Sequence, residues 1–160
     1  MPLTTAQRVS LANHIRSNTD PDVVAALAGR NDTELARLYN LNSSFVVWRT
    51  NISPEEYREA INWTEVALLT DGQARIWEWV TQSMTAPIDA SSANVRQGLS
   101  DTFAAGTSTR TDMLQVAKRF SNIGEQIFAS GTGSNVSPGT LGFEGVITID
   151  DIGRALNENP

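Results

Sequence analysis

The candidates for catalysis in this chain are its one histidine, two pairs of acids and one acid between two tryptophans. His14 is the only histidine, so a catalytic triad or a histidine-based metal site within the chain would depend on it alone. It lies in a segment with helical spacing of apolar residues and has no carboxylate at an obvious helical partner position. The sequence therefore predicts a structural role for His14, on the surface or partly buried.

The acidic residues suggest general acid–base chemistry only at first sight. The pairs Glu55–Glu56 and Asp150–Asp151 lie where predicted helices begin, and there the helix dipole favours negative charge. Glu78, between Trp77 and Trp79, resembles a sugar-binding cluster in which aromatic rings stack on a sugar and the acid donates a proton. Consecutive helix positions point in different directions, however, so this trio is better interpreted as core plus surface.

Composition excludes other kinds of site. The chain has no cysteine, so it can form neither a disulfide nor a thiolate metal site. The glycine-rich stretch Gly131–Ser134 follows a predicted helix and lacks a lysine at the spacing of a phosphate-binding loop. We therefore expect no catalytic residue, no metal ligand and no cofactor, and we expect that the protein is not an enzyme.

Charge and hydropathy restrict the expected partners. The net charge of −6 argues against a general nucleic-acid binder, which needs a basic face. Arginine supplies eleven of the twelve basic residues, which favours protein partners, although a codon preference explains it equally well. No apolar run approaches the roughly 20 residues that span a bilayer, and the polar N-terminal segment is unlike a secretory signal. We expect no membrane partner and a protein that is cytoplasmic when made.

These residues must be positioned by helices. Capping residues followed by apolar stripes predict a core that is helical from about residue 5 to residue 130. Segment 53–69 is expected to form one helix, and segment 71–84 another, whose stripe is Ile76, Val80 and Met84 with Trp77 beside it. A further helix is expected to continue to Phe120. The stretch "SSFVVWRT" is left open between a helix end and a short extended piece.

The C-terminal part has a different pattern. Residues 131–142 contain four glycines and a proline and predict a flexible link. The next stretch, "FEGVITI", alternates and is rich in β-branched residues, so it predicts a strand with Phe143 and Ile147 on one face and Val146 on the other. Thr148 or Asp150 can cap a last short helix. The fold class is thus mainly α: a small helical bundle with a C-terminal Gly-rich link, a short β-strand and a terminal helix. The expected domains are 1–130, the core, and 131–160, the tail.

The segment "VVWRTNISPEEYREAINWTEVALLTDGQARIWEWVTQ" resembles a family of tailed-bacteriophage virion proteins from the head-to-tail joining region, the head–tail connectors or adaptors. The resemblance continues in "VRQGLSDTFAAGTSTRTDMLQVAKR" and in "NIGEQIFASGTGSNVSPGTLGFEGVITIDDIGRAL", and it covers roughly residues 45–157. It implies a small helical subunit in a ring, expected to be a dodecamer, beneath the portal. Such a ring continues the DNA channel and seats the tail or a stopper ring.

This resemblance implies the partners and the location. The expected partners are other copies of the chain, the portal protein and a tail or stopper protein, while genomic DNA passes through the channel without specific binding. The expected location is the neck of the virion, and the host cytoplasm during assembly. Other candidates are a different neck protein (a head-completion stopper or a tail terminator), a cytosolic helical module that binds a peptide with its tryptophans, and a muramidase-like hydrolase around Glu78.

The predicted tail strand has no evident partner strand in a helical chain, so we expect it to dock on another chain. The alternative is that the tail folds back on its own helices. Exposed tryptophans are natural anchors for a protein partner, although Trp48, Trp63 and Trp79 could each be core or interface. The residues expected at a protein interface all carry large apolar side chains: Phe143, Val146, Ile147, Ile149, Trp48 and Trp79.

Overall fold

The computed structural model describes residues 2–81 and 87–158, except for the side chains of residues 80 and 81. Helices occupy 55% of the described residues, so the mainly α prediction is confirmed. Within the described residues the helices are α1 (Thr5–Ser17), α2 (Pro21–Ala28), α3 (Asp32–Tyr39), α4 (Pro54–Glu59), α5 (Trp63–Val66), α6 (Asp71–Thr81), α7 (Ala93–Thr102), α8 (Ser108–Val116), α9 (Ile123–Ile127) and α10 (Ile149–Glu158). The strands are β1 (Asn42–Trp48), β2 (Lys118–Asn122), β3 (Ala129–Ser130) and β4 (Thr140–Leu141).

The chain divides into two compact units. Unit 1 consists of Met1–Val47 and Phe120–Pro160, and unit 2 is Trp48–Arg119. This division differs from the expected boundary between residues 130 and 131. The C-terminal segment belongs to the same unit as the N-terminal helices because its apolar side chains complete their core.

Unit 1 is built from α1, α2, α3, α9 and α10. Side-chain caps begin its helices as expected: Thr4 and Asn122 form capping boxes with the residues three positions on, and Asp20 caps α2 ahead of Pro21. The core of this unit includes Leu11, Ile15, Leu35, Tyr39, Ile147, Ile152 and Leu156. Helix α10 packs against α1 and α3, so the terminal helix is part of this core.

The expectation of continuous helix up to residue 130 is wrong at two strands. The undecided stretch after α3 is β1, and the helix expected to reach Phe120 ends at Val116, after which β2 begins. Together β1 and β2 form a two-stranded sheet. Within unit 1, the hydroxyls of Ser43 and Ser121 are hydrogen-bonded at 2.9 Å across this pair. The aromatic and β-branched run in β1 suits a pleated strand better than a helix, in which it loses side-chain freedom.

Unit 2 contains α4 to α8. The single helix expected over residues 53–69 is two short helices, because Asn62 interrupts it. The Asn62 side chain caps α5 by accepting from the backbone N–H of Thr64, and the backbone N–H of Asn62 donates to the Thr109 hydroxyl at 3.0 Å. The core of this unit includes Ile52, Tyr57, Ile61, Trp77, Ile88, Leu99, Phe103 and Met113. The expected positions of Val80 and Met84 lie outside the described side chains.

The predicted strand over residues 143–149 is wrong. These residues are irregular until α10 begins at Ile149, and their polar groups are satisfied by side chains instead of a partner strand. The amide of Asn40 bonds both the N–H and the C=O of Ile147, at 2.9 and 2.7 Å. Gly145 has a φ of +140°, which interrupts a regular strand, and its N–H and C=O bond the side chains of Glu125 and Asn122.

The expected flexible link, residues 131–142, is an ordered loop. It is closed by the antiparallel pair of β3 and β4 and bonded to β1: the N–H of Val46 donates to Gly133 and the N–H of Gly139 donates to Val46, both at 2.8 Å. Gly133 and Gly139 both lie against the ring of Phe45, where a side chain would not fit. The tail therefore folds back on its own unit, which was the alternative left open by the sequence.

Within the described ranges, 2–81 and 87–158, we find no helix with the length and apolar character needed to cross a membrane.

Candidate interaction surfaces

The four tail residues expected at a protein interface point in two directions. Ile147 is 2% exposed in the core of unit 1, and Phe143 packs against that core with its ring edge-on to Phe128 at 5.7 Å between centroids. These two side chains stabilise the subunit itself, so they are not available to a partner. Val146 and Ile149, in contrast, are 65% and 52% exposed.

The exposure of Val146 follows from how the neighbouring backbone is held. Buried Glu125 accepts hydrogen bonds from the N–H groups of Asn122 and Gly145, and Asn40 fixes Ile147 by both its polar groups. Because Ile147 must enter the core and the chain is extended here, the side chain before it points outward. The contacts that order the tail thus place an apolar side chain at the surface.

A groove of about 400 Å³ lies beside Val146 at the start of α10. We call it the α10 groove. Its lining residues are Pro2, Phe143, Glu144, Gly145, Val146, Thr148, Asp150 and Asp151. Three of them are carboxylates and none is a cation, while Phe143 and Val146 supply an apolar side. The groove is therefore both acidic and partly apolar.

The carboxylates of the α10 groove have different surroundings. Asp151 is mostly buried, and Thr148 donates to it from its N–H at 3.0 Å and from its hydroxyl at 2.6 Å, so this pair caps α10 as expected for Thr148. Asp150 is exposed and forms an ion pair with Arg154 one turn later, at 2.9 Å. Exposed ion pairs of this kind contribute little to stability, so the Asp150 carboxylate can exchange partners at small cost.

Helix α6 presents a second surface, in unit 2. Trp77 is buried and packs edge-on to Phe103 with ring centroids 5.2 Å apart. Trp79 is 76% exposed, and Arg75 lies four residues before it, so both project from the side opposite Trp77. With the exposed Ile76 they form what we call the α6 outer face: Arg75, Ile76 and Trp79. It combines an aromatic ring with a cation.

The other two tryptophans left open by the sequence differ from each other. Trp48 is half-buried against the core of unit 2, with the Arg96 guanidinium 4.6 Å and the Lys118 ammonium 5.9 Å from its ring centroid. These cation–π contacts occupy the ring within its own unit, so Trp48 is a poor anchor for a partner. Trp63 is exposed at the start of α5, near the exposed Leu68.

His14 has the structural, partly buried setting that the sequence predicted. Its Nδ1 atom is 2.8 Å from the Tyr39 hydroxyl, and the Asn18 amide donates to the same hydroxyl at 3.5 Å. The Tyr39 O–H can donate to Nδ1 of a neutral imidazole that carries its proton on Nε2. Burial lowers the His14 pKa and raises the Tyr39 pKa, so both side chains are held neutral.

The acidic residues weighed for catalysis have structural surroundings. Trp77 and Trp79 lie on opposite sides of α6, so Glu78 does not sit in a cleft between two aromatic rings. Glu56 caps α4 and is bound by both guanidinium nitrogens of Arg49, at 2.8 and 3.0 Å, which lowers its pKa to about 2. Across the described part of the chain, no three histidine or acidic side chains are grouped to hold a metal ion.

Comparisons with protein-family models, with curated proteins and with solved structures find no significant match. The features that bear on function are therefore the resemblance in sequence and two surfaces, the α10 groove and the α6 outer face.

Val146 and Trp79 of these surfaces were expected at an interface from the sequence, and Ile149 is exposed but lies in neither surface. The neighbours Arg75 and Glu144 were not expected. Arg75 could have been found, because its i, i+4 spacing from Trp79 on a predicted helix places the two together. Glu144 could not, because its position beside the start of α10 depends on how Gly145 and Ile147 are bonded to distant side chains.

Proposed function

We propose that the chain is a structural subunit of the neck of a tailed-bacteriophage particle, a head–tail connector (adaptor). In this proposal, copies assemble in a ring, expected to be a dodecamer, beneath the portal protein. The ring continues the DNA channel and seats the tail or a stopper protein. The resemblance over residues 45–157 is the reason for choosing this family.

The observation that carries the proposal is Trp79, a tryptophan left 76% exposed on a well-formed helix. Tryptophan is the residue type that most often dominates the energy of a protein interface, and its exposure in an isolated subunit is costly unless a partner covers it. The α10 groove adds a second exposed apolar site, at Val146 on unit 1. A subunit with exposed apolar sites on both units fits a protein that contacts several others.

The acidic net charge supports a role in which the protein surrounds DNA without binding it tightly. A channel must let phosphates slide, and a protein with a net charge of −6 gains little from releasing the counterions of DNA. We therefore expect weak, non-specific DNA affinity at physiological salt. Tight binding with a steep dependence on salt concentration would contradict this role.

Genetic removal tests the proposal directly. In the phage or prophage that encodes the chain, a stop codon in this reading frame should give DNA-filled heads and free tails that electron microscopy shows unjoined. Wild-type protein supplied in trans should restore joined particles, and gold-labelled antibodies against it should mark the neck. If the particles join without this protein, or if the label lies elsewhere, the proposal is wrong.

Glu78→Gln is the matched variant for the enzymatic alternative. It changes a surface acid on the same helix as Trp79 without removing bulk. A structural subunit should join heads to tails normally with this change. Loss of a hydrolase activity in folded Glu78→Gln protein would favour the muramidase-like candidate instead. A labelled protein found only in the host cytoplasm would favour the peptide-binding module, which relies on the same exposed tryptophans.

A further inference from the structure

The two surfaces described above have complementary chemistry. The α10 groove is concave, acidic and apolar on one side. The α6 outer face is exposed and aromatic, and it carries one cation, Arg75. Among the described residues, no hydrogen bond or ion pair involves Arg75, so its charge is unmatched within them.

We propose that the α6 outer face of one copy docks in the α10 groove of a second copy. Trp79 then covers the exposed Val146, and the guanidinium of Arg75 replaces Arg154 as the partner of the exposed Asp150 carboxylate. An arginine forms two parallel bonds to one carboxylate, so a single pair gives both attraction and orientation. This proposal names a contact between copies and rests on the proposed function, in which copies must touch.

A second copy is the occupant because each surface supplies what the other lacks. The groove presents the exposed Asp150 carboxylate, whose surface pair with Arg154 can be exchanged at small cost, and the helix presents the cation Arg75. The acidic groove between α4 and α8, about 470 Å³, is a weaker fit. Arg49 binds its Glu56 through two nitrogens, whereas Arg154 holds Asp150 by a single exposed contact, and the apolar lining of this second groove is only Ala60 and Val116. It offers a tryptophan no exposed apolar partner of the size of Val146.

The contact joins two different surfaces, so it is heterologous. Each copy that docks leaves its own groove free for the next, and repetition produces a closed ring or an open filament according to the angle between copies. An isologous dimer, in which one patch meets the same patch, would stop at two copies. This difference allows a decisive experiment on mixtures.

Two variants each disable one surface. The face-disabled variant carries Arg75→Glu and Trp79→Ala, and the groove-disabled variant carries Val146→Arg. Both change exposed side chains, so circular dichroism and thermal melting should show that the fold is kept. The matched controls are Trp63→Ala, an exposed tryptophan on another helix of unit 2, and Val136→Arg, an exposed valine away from the groove.

Sedimentation velocity up to about 1 mM subunit should show concentration-dependent association of the wild type and of both controls. Each disabled variant alone should remain monomeric, with association weakened about tenfold or more, because anchor residues carry most of the energy of an interface. An equal mixture of the two disabled variants should form dimers and nothing larger. The intact face of one variant fills the intact groove of the other, and the remaining pair of surfaces is disabled.

Four other outcomes would show that this contact is wrong. The wild type could stay monomeric up to about 1 mM, or a disabled variant could associate as the wild type does. The controls could associate as weakly as the disabled variants, or the mixture could stay monomeric. The proposed function is judged separately by head-to-tail joining in particles. If the disabled variants associate normally while unjoined particles still accumulate without the protein, the neck role stands and this contact is wrong.

Discussion

Replacing Ile152 by alanine tests whether the C-terminal helix is part of the subunit's own core. Ile152 lies in α10 and is fully buried among the N-terminal helices of unit 1. Three residues earlier in the same helix, Ile149 is half exposed. The two isoleucines therefore give a matched pair in which the substitution is the same and only the burial differs.

The expected magnitude follows from the atoms removed. Isoleucine to alanine deletes about three CH₂-sized groups, each worth about 0.8 kcal/mol when buried. The cavity that remains raises the cost, so Ile152→Ala should lower the free energy of unfolding by about 3 kcal/mol, within the usual range of about 2–5 kcal/mol. For a chain of this size the midpoint of thermal unfolding should fall by about 6–12 °C. Ile149→Ala should cost less than about 1 kcal/mol, because it is half exposed and alanine favours the helix.

Far-UV circular dichroism during urea unfolding is the suitable assay. All four tryptophans lie in unit 2, so their fluorescence would report the wrong part of the chain. Amide hydrogen exchange adds the location: Ile152→Ala should increase exchange in α1, α3 and α10, which pack together. Equal, small effects of the two substitutions would show that α10 is detachable, and would revive the docking of the tail on another chain.

Three further predictions concern stability. Gly139→Ala should destabilise the protein by about 1–3 kcal/mol, because the added Cβ would lie 2.5 Å from the Phe45 ring and 2.9 Å from a backbone oxygen. Gly72→Ala, at a helix position with open space around it, should instead stabilise the protein by up to about 1 kcal/mol. Thermal melts of the two variants measure the difference. Burial lowers the His14 pKa below its usual 6.5, so the unfolded chain binds a proton at His14 before the folded chain does. Stability should therefore fall as the pH drops below 6.5. His14→Gln should remove this part of the pH dependence in urea titrations. Hydrogen bonding of the Glu65 carboxylate to the side chain of Thr109, and to the backbone N–H groups of Thr109 and Ser108 at the start of α8, lowers its pKa to about 2. Its contribution to stability should therefore be complete above pH 4.5 and lost towards pH 2, and Glu65→Gln should flatten the acid limb of the stability curve.

Elements whose signals are local could be predicted from the sequence. The helix begun by Asp20 and Pro21 is in place, as is the capping box of Asn122 with Glu125, because both depend on a side chain bonding its own backbone within three residues. Helical periodicity predicted Trp77 beside an inward stripe and it is buried, but Ile76, which was expected in that stripe, is 36% exposed, so the stripe was placed wrongly there. Local capping and periodicity were sufficient for most helices of both units.

Elements decided by distant contacts could not be predicted. The break after α4 depends on a bond between Asn62 and Thr109, which lie 47 positions apart in the chain. The order of the glycine-rich loop depends on Phe45, whose ring fills the space left by Gly133 and Gly139. Composition alone favoured a flexible link, since nothing in residues 131–142 indicates the aromatic ring around which they close.

In the tail, the predicted alternation of inward and outward side chains is correct, but the predicted strand is wrong. Alternation placed Phe143 and Ile147 on one side and Val146 on the other, and their burial confirms this arrangement although no strand forms. Period two requires only an extended backbone, whereas a strand also requires a partner backbone, and here side chains of Asn40, Asn122 and Glu125 take the partner's place.

This substitution of side chains for a partner strand determines what the tail can offer another protein. The backbone of Gly145 and of Ile147 is bonded by side chains of the same subunit, so docking by an added strand is disfavoured there. What remains for recognition is the outward side chain of Val146 and the exposed Asp150 carboxylate. A partner of this surface must therefore bring an apolar group and a cation on a preformed element, and α6 of a second copy has both.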